Sequence, residues 1–315
     1  MKHNIKITII LISIFLISQY IGLAVVNQYI DQEQTAITGE TSFGNLPLGE
    51  RPELNQNTSF VLVIFAVLIG TALLFGIIKF GAMKLWKAWF ALALFMTLTT
   101  SFAAFTTTTI AISLAILFTA WRIFKNNPII HNATEPLIYA GIAAIFVPVF
   151  NLFSISILLI LIAIYDAYAV WKSKHMIVLA KAQKSAGIFA GLQIPHQWSF
   201  KSKTKSISAS KKSSKLSKSK AAKFHESTSS KTKSKVVKVQ SAILGGGDIA
   251  FPLLFAGVLL KDYSMTAALI LPIFATAALS ILFYYSKKGK FYPAMPFISA
   301  GCFVGLGFLW LVGLV

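Results

Sequence analysis

Cysteine and histidine are scarce in this sequence, and their positions exclude two classes of chemistry. The single cysteine, Cys302, lies in an apolar run, so no intrachain disulfide framework can form. All five histidines lie in predicted loops or at the ends of apolar runs: His3, His131, His175, His196 and His225. A His-Glu-x-x-His metal site and a membrane-embedded Ser and His pair are therefore excluded. We expect no metal and no organic cofactor.

Acidic residues are also few, ten against 29 Lys and Arg. Eight of the ten are predicted to lie in loops or at helix ends: Asp31, Glu33, Glu40, Glu50, Glu53, Glu135, Glu226 and Asp262. The other two, Asp166 and Asp248, have apolar surroundings. Because ionisation is costly there, an acid kept inside a membrane segment marks a functional site by default.

Apolar residues dominate what is present, at 56% of the chain and a mean hydropathy of +0.72. Repeated runs long enough to cross about 30 Å of hydrocarbon predict an all-α polytopic membrane protein. We predict nine spans, at about 5–27, 58–80, 86–105, 106–125, 134–152, 153–172, 239–260, 263–286 and 291–314, with a tight turn at Thr106–Thr109. The distribution of Lys and Arg predicts a cytoplasmic amino terminus and a carboxyl terminus outside.

The positive charge is concentrated in one segment and divides the chain into three regions. More than half of the 29 Lys and Arg residues lie between Lys172 and Lys238, in a stretch rich in Lys and Ser. We predict spans one to six over 1–172, a largely disordered cytoplasmic loop over 173–238, and spans seven to nine over 239–315. The charge belongs to this loop, so no nucleic-acid partner is expected.

The two aspartates are predicted to lie at similar depth. Tyr165-Asp166 precedes the cytoplasmic end of the sixth span by about six residues, and Asp248 is about nine residues into the seventh, which puts each about 10 Å below the cytoplasmic face. Two carboxyl groups close together in a low dielectric share one proton, so one can activate water while the other polarises a carbonyl. A structural role or an ion path is the alternative for such acids.

Glycine and proline interrupt the helices beside these acids. Gly245, Gly246 and Gly247 directly precede Asp248, and Pro252 follows it in the same run. The glycines lower helix propensity and allow another backbone to approach closely. Pro293-Ala-Met-Pro296 opens the ninth span near the cytoplasmic face, where prolines leave backbone groups to be satisfied by a neighbour or by water.

Taken together, these motifs resemble the signatures of the presenilin and signal peptide peptidase family of intramembrane aspartyl proteases. Tyr165-Asp166, the G-x-G-D pattern of Gly245 to Asp248, and Pro293-Ala-Met occur in the family's order within a nine-span layout. The resemblance implies that Asp166 and Asp248 form a catalytic dyad. Met295 stands where the family usually has Leu, a change of similar apolar volume.

The resemblance also implies roles for the neighbouring residues and a class of substrate. Gly245 and Gly247 shape the site, Pro293, Ala294 and Met295 help to position the substrate, and Tyr165 helps to orient the site. Partners implied are the lipid bilayer and single-span membrane proteins, of type I given the predicted orientation. Self-association as a homo-oligomer is left open.

Other functions remain open at the level of the sequence. A prepilin-type peptidase also uses a G-x-G-D aspartate, but it does not explain Tyr165-Asp166 or Pro293–Pro296. The two aspartates could instead line a cation or proton pathway in a channel or transporter. A structural or scaffold protein is the remaining alternative, and it predicts that neutralising either aspartate leaves the function intact.

Overall fold

A computed structural model describes residues 5–51, 54–125, 127–173, 190–195, 241–286 and 292–315. Its helices are α1 (Ile5–Gln28), α2 (Gln32–Thr38), α3 (Ser59–Lys79), α4 (Met83–Ala103), α5 (Thr108–Phe124), α6 (Pro128–Phe146), α7 (Leu152–Tyr168), α8 (Gly247–Asp262), α9 (Met265–Tyr285) and α10 (Met295–Leu311). Its strands are β1 (Ile30–Asp31), β2 (Ser42–Phe43), β3 (Gly191–Pro195) and β4 (Ser241–Gly245). The predicted all-α class is therefore right in the main, with two short hairpins added.

Local capping explains where several helices begin. The Asn127 side chain accepts from the backbone N–H of Ile129, and Pro128 occupies the first turn of α6. α6 therefore begins at Pro128, and the predicted start of the fifth span at 134 is wrong by six residues. Asn151 and Ser154 cap α7 reciprocally. The threonine turn is confirmed, since α4 ends at Ala103 and α5 begins at Thr108.

Six helical segments in the described part of the chain are long and apolar enough to cross a membrane. They are Ile5–Gln28, Ser59–Lys79, Met83–Ala103, Pro128–Val149, Leu152–Lys172 and Met265–Tyr285. α5 and α10 are shorter apolar helices of 17 residues each, and α8 has 16 residues. The chain is a multi-pass membrane protein.

The predicted seventh span, 239–260, is not one continuous helix. Residues Ser241–Gly245 form β4, which pairs with β3 in antiparallel register, so that Gly191 faces Gly245. α8 then begins at Gly247, so Asp248 is the second residue of the helix rather than about nine residues into the span. The glycine run favours this break in the helix. Pairing with β3 gives the backbone N–H and C=O groups of β4 the hydrogen bonds that a continuous helix would otherwise provide.

The strand β3 lies within the predicted loop, 173–238, where Gly191–Pro195 form a paired strand. That this loop is largely disordered stays a prediction. Residues 174–189 and 196–238 of that loop lie outside the described residues. The strand ties one part of the loop to the start of α8.

The core of the bundle is α8. Its residues from Pro252 to Lys261 are buried, and it packs against α1, α6, α7, α9 and α10. α3 is the opposite case, since only Ser59 and Leu74 of that helix are buried. Asp248, at the start of α8, is half-buried and lies one turn before this buried stretch.

The segment between α1 and α3 packs against the bundle through Tyr29 and Arg51. The Tyr29 hydroxyl donates to the carbonyl oxygen of Thr100 at 2.8 Å, and the Arg51 guanidinium lies 5.5 Å from the centre of the Tyr29 ring. Burial raises the pKa of Tyr29 to about 12, against the opposing effect of Arg51. This contact is structural and belongs to the loop between α1 and α3.

Candidate active site

Asp166 lies on α7 and faces the beginning of α10. Asp166 is 8% exposed. Its Oδ2 accepts a hydrogen bond from the backbone N–H of Met295 at 3.2 Å. The backbone N–H of Ala294 also interacts with this carboxyl group. The amino end of α10 thus supplies the donors for Asp166, and a helix amino terminus favours a carboxylate.

Asp248 lies in the first turn of α8, where the G-x-G-D turn meets the helix. Its Oδ2 accepts the backbone N–H of Gly245 at 3.2 Å. Asp166 lies on the neighbouring helix α7, which packs directly against α8. α7 packs against both α8 and α10, and this packing brings the three motif segments together.

The three residues of the Pro-Ala-Met motif contribute in different ways. Pro293 is buried, Ala294 is the N-cap residue of α10, and the Met295 side chain joins the main hydrophobic core. The contact with Asp166 is made by the backbone of Met295 and not by its side chain. The structure therefore places this motif beside Asp166, as the sequence predicts.

Tyr165 points toward a different neighbour from Asp166. Its hydroxyl lies 3.5 Å from Oγ1 of Thr71 on α3. Adjacent residues on a helix point about 100° apart, so this divergence follows from helix geometry. The structure therefore places the Tyr165 hydroxyl against α3, and the predicted role of this residue in orienting the site stays a prediction.

The three glycines before Asp248 are not equivalent. A Cβ at Gly245 would lie 3.1 Å from Oδ2 of Asp248, and one at Gly247 would meet only the Phe251 ring at 3.5 Å. A Cβ at Gly246, by contrast, would lie 2.5 Å from the Tyr139 hydroxyl. The most crowded of the three is therefore Gly246, which the sequence analysis names with the other two but does not count among the residues that shape the site.

Glu135 is a third buried acid, and its predicted place in a loop or at a helix end is wrong. It lies inside α6, 1% exposed, and forms an ion pair with Arg122 of α5. It also accepts from the Tyr139 hydroxyl and from the backbone N–H of Gly191 at 3.2 Å. The sequence analysis misplaced Glu135 because a fifth span that starts at 134 puts this residue at the end of the helix.

Gln19 of α1 is another residue of the site region that the sequence did not reveal. It is fully buried, and its Nε2 donates to the carbonyl oxygen of Ile249 at 3.0 Å. This hydrogen bond goes to the residue after Asp248. The carbonyl oxygen of Asp248 itself lacks its usual donor within α8, because Pro252 has no backbone N–H. A polar residue in the middle of the first apolar run was the available signal.

The arrangement supplies two carboxyl groups in a largely apolar bundle, each held through Oδ2 by a backbone N–H. Such a pair can share a proton, activate a water molecule and protonate a leaving group. Within the described ranges, no group of three or more His, Cys, Asp or Glu side chains could hold a metal ion.

Comparison with known proteins gives a family and a fold. The family model described as "Signal-peptide peptidase, presenilin aspartyl protease" matches residues 12–315. Two solved structures, both described as a presenilin family intramembrane aspartate protease, have a similar fold. One, in space group C222, has a TM-score of 0.60 and 18% identity over 97% of this chain and 99% of the other. The other, in space group P2, has a TM-score of 0.58 and 19% identity over 96% of each chain. No curated protein matches the sequence significantly.

Proposed function

Because this chain belongs to the signal-peptide peptidase and presenilin family of aspartyl proteases, we propose that Asp166 and Asp248 are its catalytic dyad. The protein is an intramembrane aspartyl protease, a hydrolase that acts on peptide bonds of membrane proteins within the bilayer. The observation that carries the dyad is the packing of α7, which bears Asp166, against α8, which bears Asp248, and against α10, whose Met295 N–H donates to Asp166. The family match favours this function over a prepilin-type peptidase or an ion pathway.

In the proposed mechanism, the dyad holds one proton between two carboxyl groups. The ionised carboxylate removes a proton from water, and the resulting hydroxide attacks the peptide carbonyl while the protonated partner donates to its oxygen. Collapse of the tetrahedral intermediate then breaks the C–N bond. The carboxyl group that took a proton from water gives it to the leaving amine, and its partner takes back a proton from the diol hydroxyl, which restores the dyad. The backbone donors from Gly245 and Met295 hold one oxygen of each carboxyl group during these steps.

The motif residues around the dyad are proposed to shape the site and to position the substrate. Met295 fixes Asp166 through its N–H, while Pro293 and Ala294 set the entry of the chain into α10. Gly245 and Gly247 leave room beside Asp248 for the backbone of a locally unwound substrate. Tyr165 is proposed to orient the site from the side of α3.

The proposed substrates are single-span membrane proteins whose helix can unwind near the cytoplasmic face. The proposed topology has nine spans, with the amino terminus in the cytoplasm and the carboxyl terminus outside. Its support is that each predicted span has a helix of at least 16 residues within the described chain, including the shorter α5, α8 and α10. This orientation favours type I substrates.

Neutralising either aspartate tests the proposed dyad. We expect Asp166→Asn and Asp248→Asn each to abolish cleavage of a single-span peptide in liposomes, because Asn can neither take up nor release the proton. The peptide is one that the wild-type protein cuts, chosen from synthetic Leu- and Ala-rich spans with a glycine break, and mass spectrometry identifies the products.

The matched control is Asp31→Asn. Asp31 caps α2 by accepting from the backbone N–H of Gln34, and Asn is an equally good N-cap residue. This variant should cleave at the wild-type rate. If Asp166→Asn or Asp248→Asn cleaves as the control does, that aspartate is not part of the dyad.

A further inference from the structure

A buried polar cluster on α6 lies next to the turn that carries Asp248. At its centre is Glu135, whose Oε1 forms an ion pair with Arg122. Its Oε2 accepts two hydrogen bonds, one from the Tyr139 hydroxyl and one from the Gly191 N–H at 3.2 Å. Each of these two donors is also connected to the Gly245–Gly247 turn that precedes Asp248, and the two connections are separate.

The first route runs through the β-hairpin. Gly191 of β3 pairs with Gly245 of β4, and the N–H of Gly245 is the donor to Asp248. Two more residues of α6 fasten the same strand. His131 Nε2 lies 2.7 Å from the Gly191 carbonyl oxygen, and Asn132 exchanges two hydrogen bonds with the backbone of Gln193 at 2.8 and 3.0 Å. α6 therefore holds the hairpin from which Asp248 emerges.

The second route is direct contact between Tyr139 and the turn. The position of a Cβ on Gly246 would be 2.5 Å from the Tyr139 hydroxyl, and 3.1 and 3.2 Å from two ring carbons. The hydroxyl is thus packed against the backbone two residues before Asp248. Because Glu135 accepts from that hydroxyl, it fixes the direction in which Tyr139 points.

We propose that Tyr139, oriented by Glu135, is a positioning residue that holds the Gly245–Gly247 turn and with it the carboxyl group of Asp248. The inference rests on the proposed function, since it assigns a role relative to the dyad. A buried ion pair contributes little net stability, because the loss of hydration offsets its attraction. A contribution to stability therefore does not explain the Arg122–Glu135 pair, whereas a role in fixing the geometry of the dyad does.

The first test removes only the Tyr139 hydroxyl. In Tyr139→Phe, we expect kcat to fall roughly 10- to 100-fold with KM unchanged, as expected when a catalytic group is displaced by a fraction of an ångström to about 1 Å. The assay uses the full-length protein in liposomes and a single-span peptide that the wild type cuts.

The matched control is Tyr29→Phe, which also removes a buried tyrosine hydroxyl that donates a hydrogen bond. Tyr29 belongs to the contact with Arg51 and Thr100, and the control should keep the wild-type kcat. Thermal unfolding in detergent is measured for both variants. A kcat for Tyr139→Phe equal to that of Tyr29→Phe, or a loss that only follows a lower unfolding temperature, would overturn the proposal.

The second test examines the contact between Tyr139 and Gly246. Gly246→Ala should reduce kcat, because its new methyl group would overlap the hydroxyl. Adding Tyr139→Phe removes the nearest atom and leaves the ring carbons at 3.1 and 3.2 Å, so the double variant should be faster than Gly246→Ala alone. If the kcat losses of Gly246→Ala and Tyr139→Phe multiply in the double variant, the two residues act independently. That result would contradict a contact between them that positions the turn.

Asp166→Asn and Asp248→Asn are assayed in the same experiment, so that the two proposals can fail separately. Cleavage by either variant would overturn the proposed dyad. Loss of cleavage in both, together with normal kcat in Tyr139→Phe, would overturn the positioning role alone.

Discussion

At the scale of single residues, the two aspartates are held by different kinds of contact. Asp248 takes its donor from Gly245, three residues earlier in the chain. Asp166 takes its donor from Met295, 129 residues away on another helix. The setting of Asp248 therefore depends on a local turn, whereas that of Asp166 depends on how α7 packs against α10.

A close approach between two helix backbones gives a prediction at the same scale. Gly141 of α6 lies against α4, where an added Cβ would overlap the carbonyl group of Thr97. Backbone cannot move aside as a flexible side chain can, so Gly141→Ala should force the helices apart. We expect a loss of about 1–3 kcal/mol in the free energy of unfolding, measured by denaturation in detergent.

The control for this prediction is Gly70→Ala on α3. A Cβ at Gly70 meets nothing within 4 Å, and α3 is largely exposed at the edge of the bundle. Gly70→Ala should leave stability nearly unchanged. Equal stability of the two variants would show that α4 and α6 are not in backbone contact at Gly141.

The sequence predicts some residues of the candidate site and misses others for physical reasons. Asp166 and Asp248 are apparent because an acid in an apolar run is costly. Glu135 has the same chemistry, but its polar neighbours His131 and Asn132 suggest a loop rather than a helix. The contact of Tyr139 with Gly246 joins residues over 100 positions apart, and periodicity carries no information about such pairs.

At the scale of elements, the positions of most helices follow from hydrophobic length. The predicted first and second spans, 5–27 and 58–80, agree closely with Ile5–Gln28 and Ser59–Lys79. The fourth, 106–125, agrees with Thr108–Phe124. Long apolar runs specify helices well because a membrane helix satisfies its own backbone hydrogen bonds.

The β3–β4 hairpin is an element near the site that the sequence does not predict. Its strands come from segments separated by the Lys- and Ser-rich stretch, and Ser241–Gly245 is as apolar as the helix that follows. A short apolar run does not distinguish strand from helix by periodicity alone. Pairing with a distant strand decides the outcome and shifts Asp248 to the first turn of α8.

At the scale of the whole molecule, the number of spans decides where the termini lie. Nine spans put the two ends on opposite sides of the membrane, whereas eight would put them on the same side. In a Cys302→Ala background, we expect Val315→Cys to react with a membrane-impermeant maleimide from outside the cell. Lys2→Cys should react only after the membrane is permeabilised. Labelling of both positions from the same side would contradict the proposed topology.

In the proposed dyad, Asp166 of α7 and Asp248 of α8 act as one catalytic unit, and these two helices pack against each other. The measurement that tests this most directly is the residual single-turnover cleavage rate of Asp166→Asn, Asp248→Asn and the double variant. If both aspartates serve one step, each single change should remove nearly all activity and the double change should cost no more. Losses that multiply, or substantial cleavage in either single variant, would contradict a shared catalytic dyad.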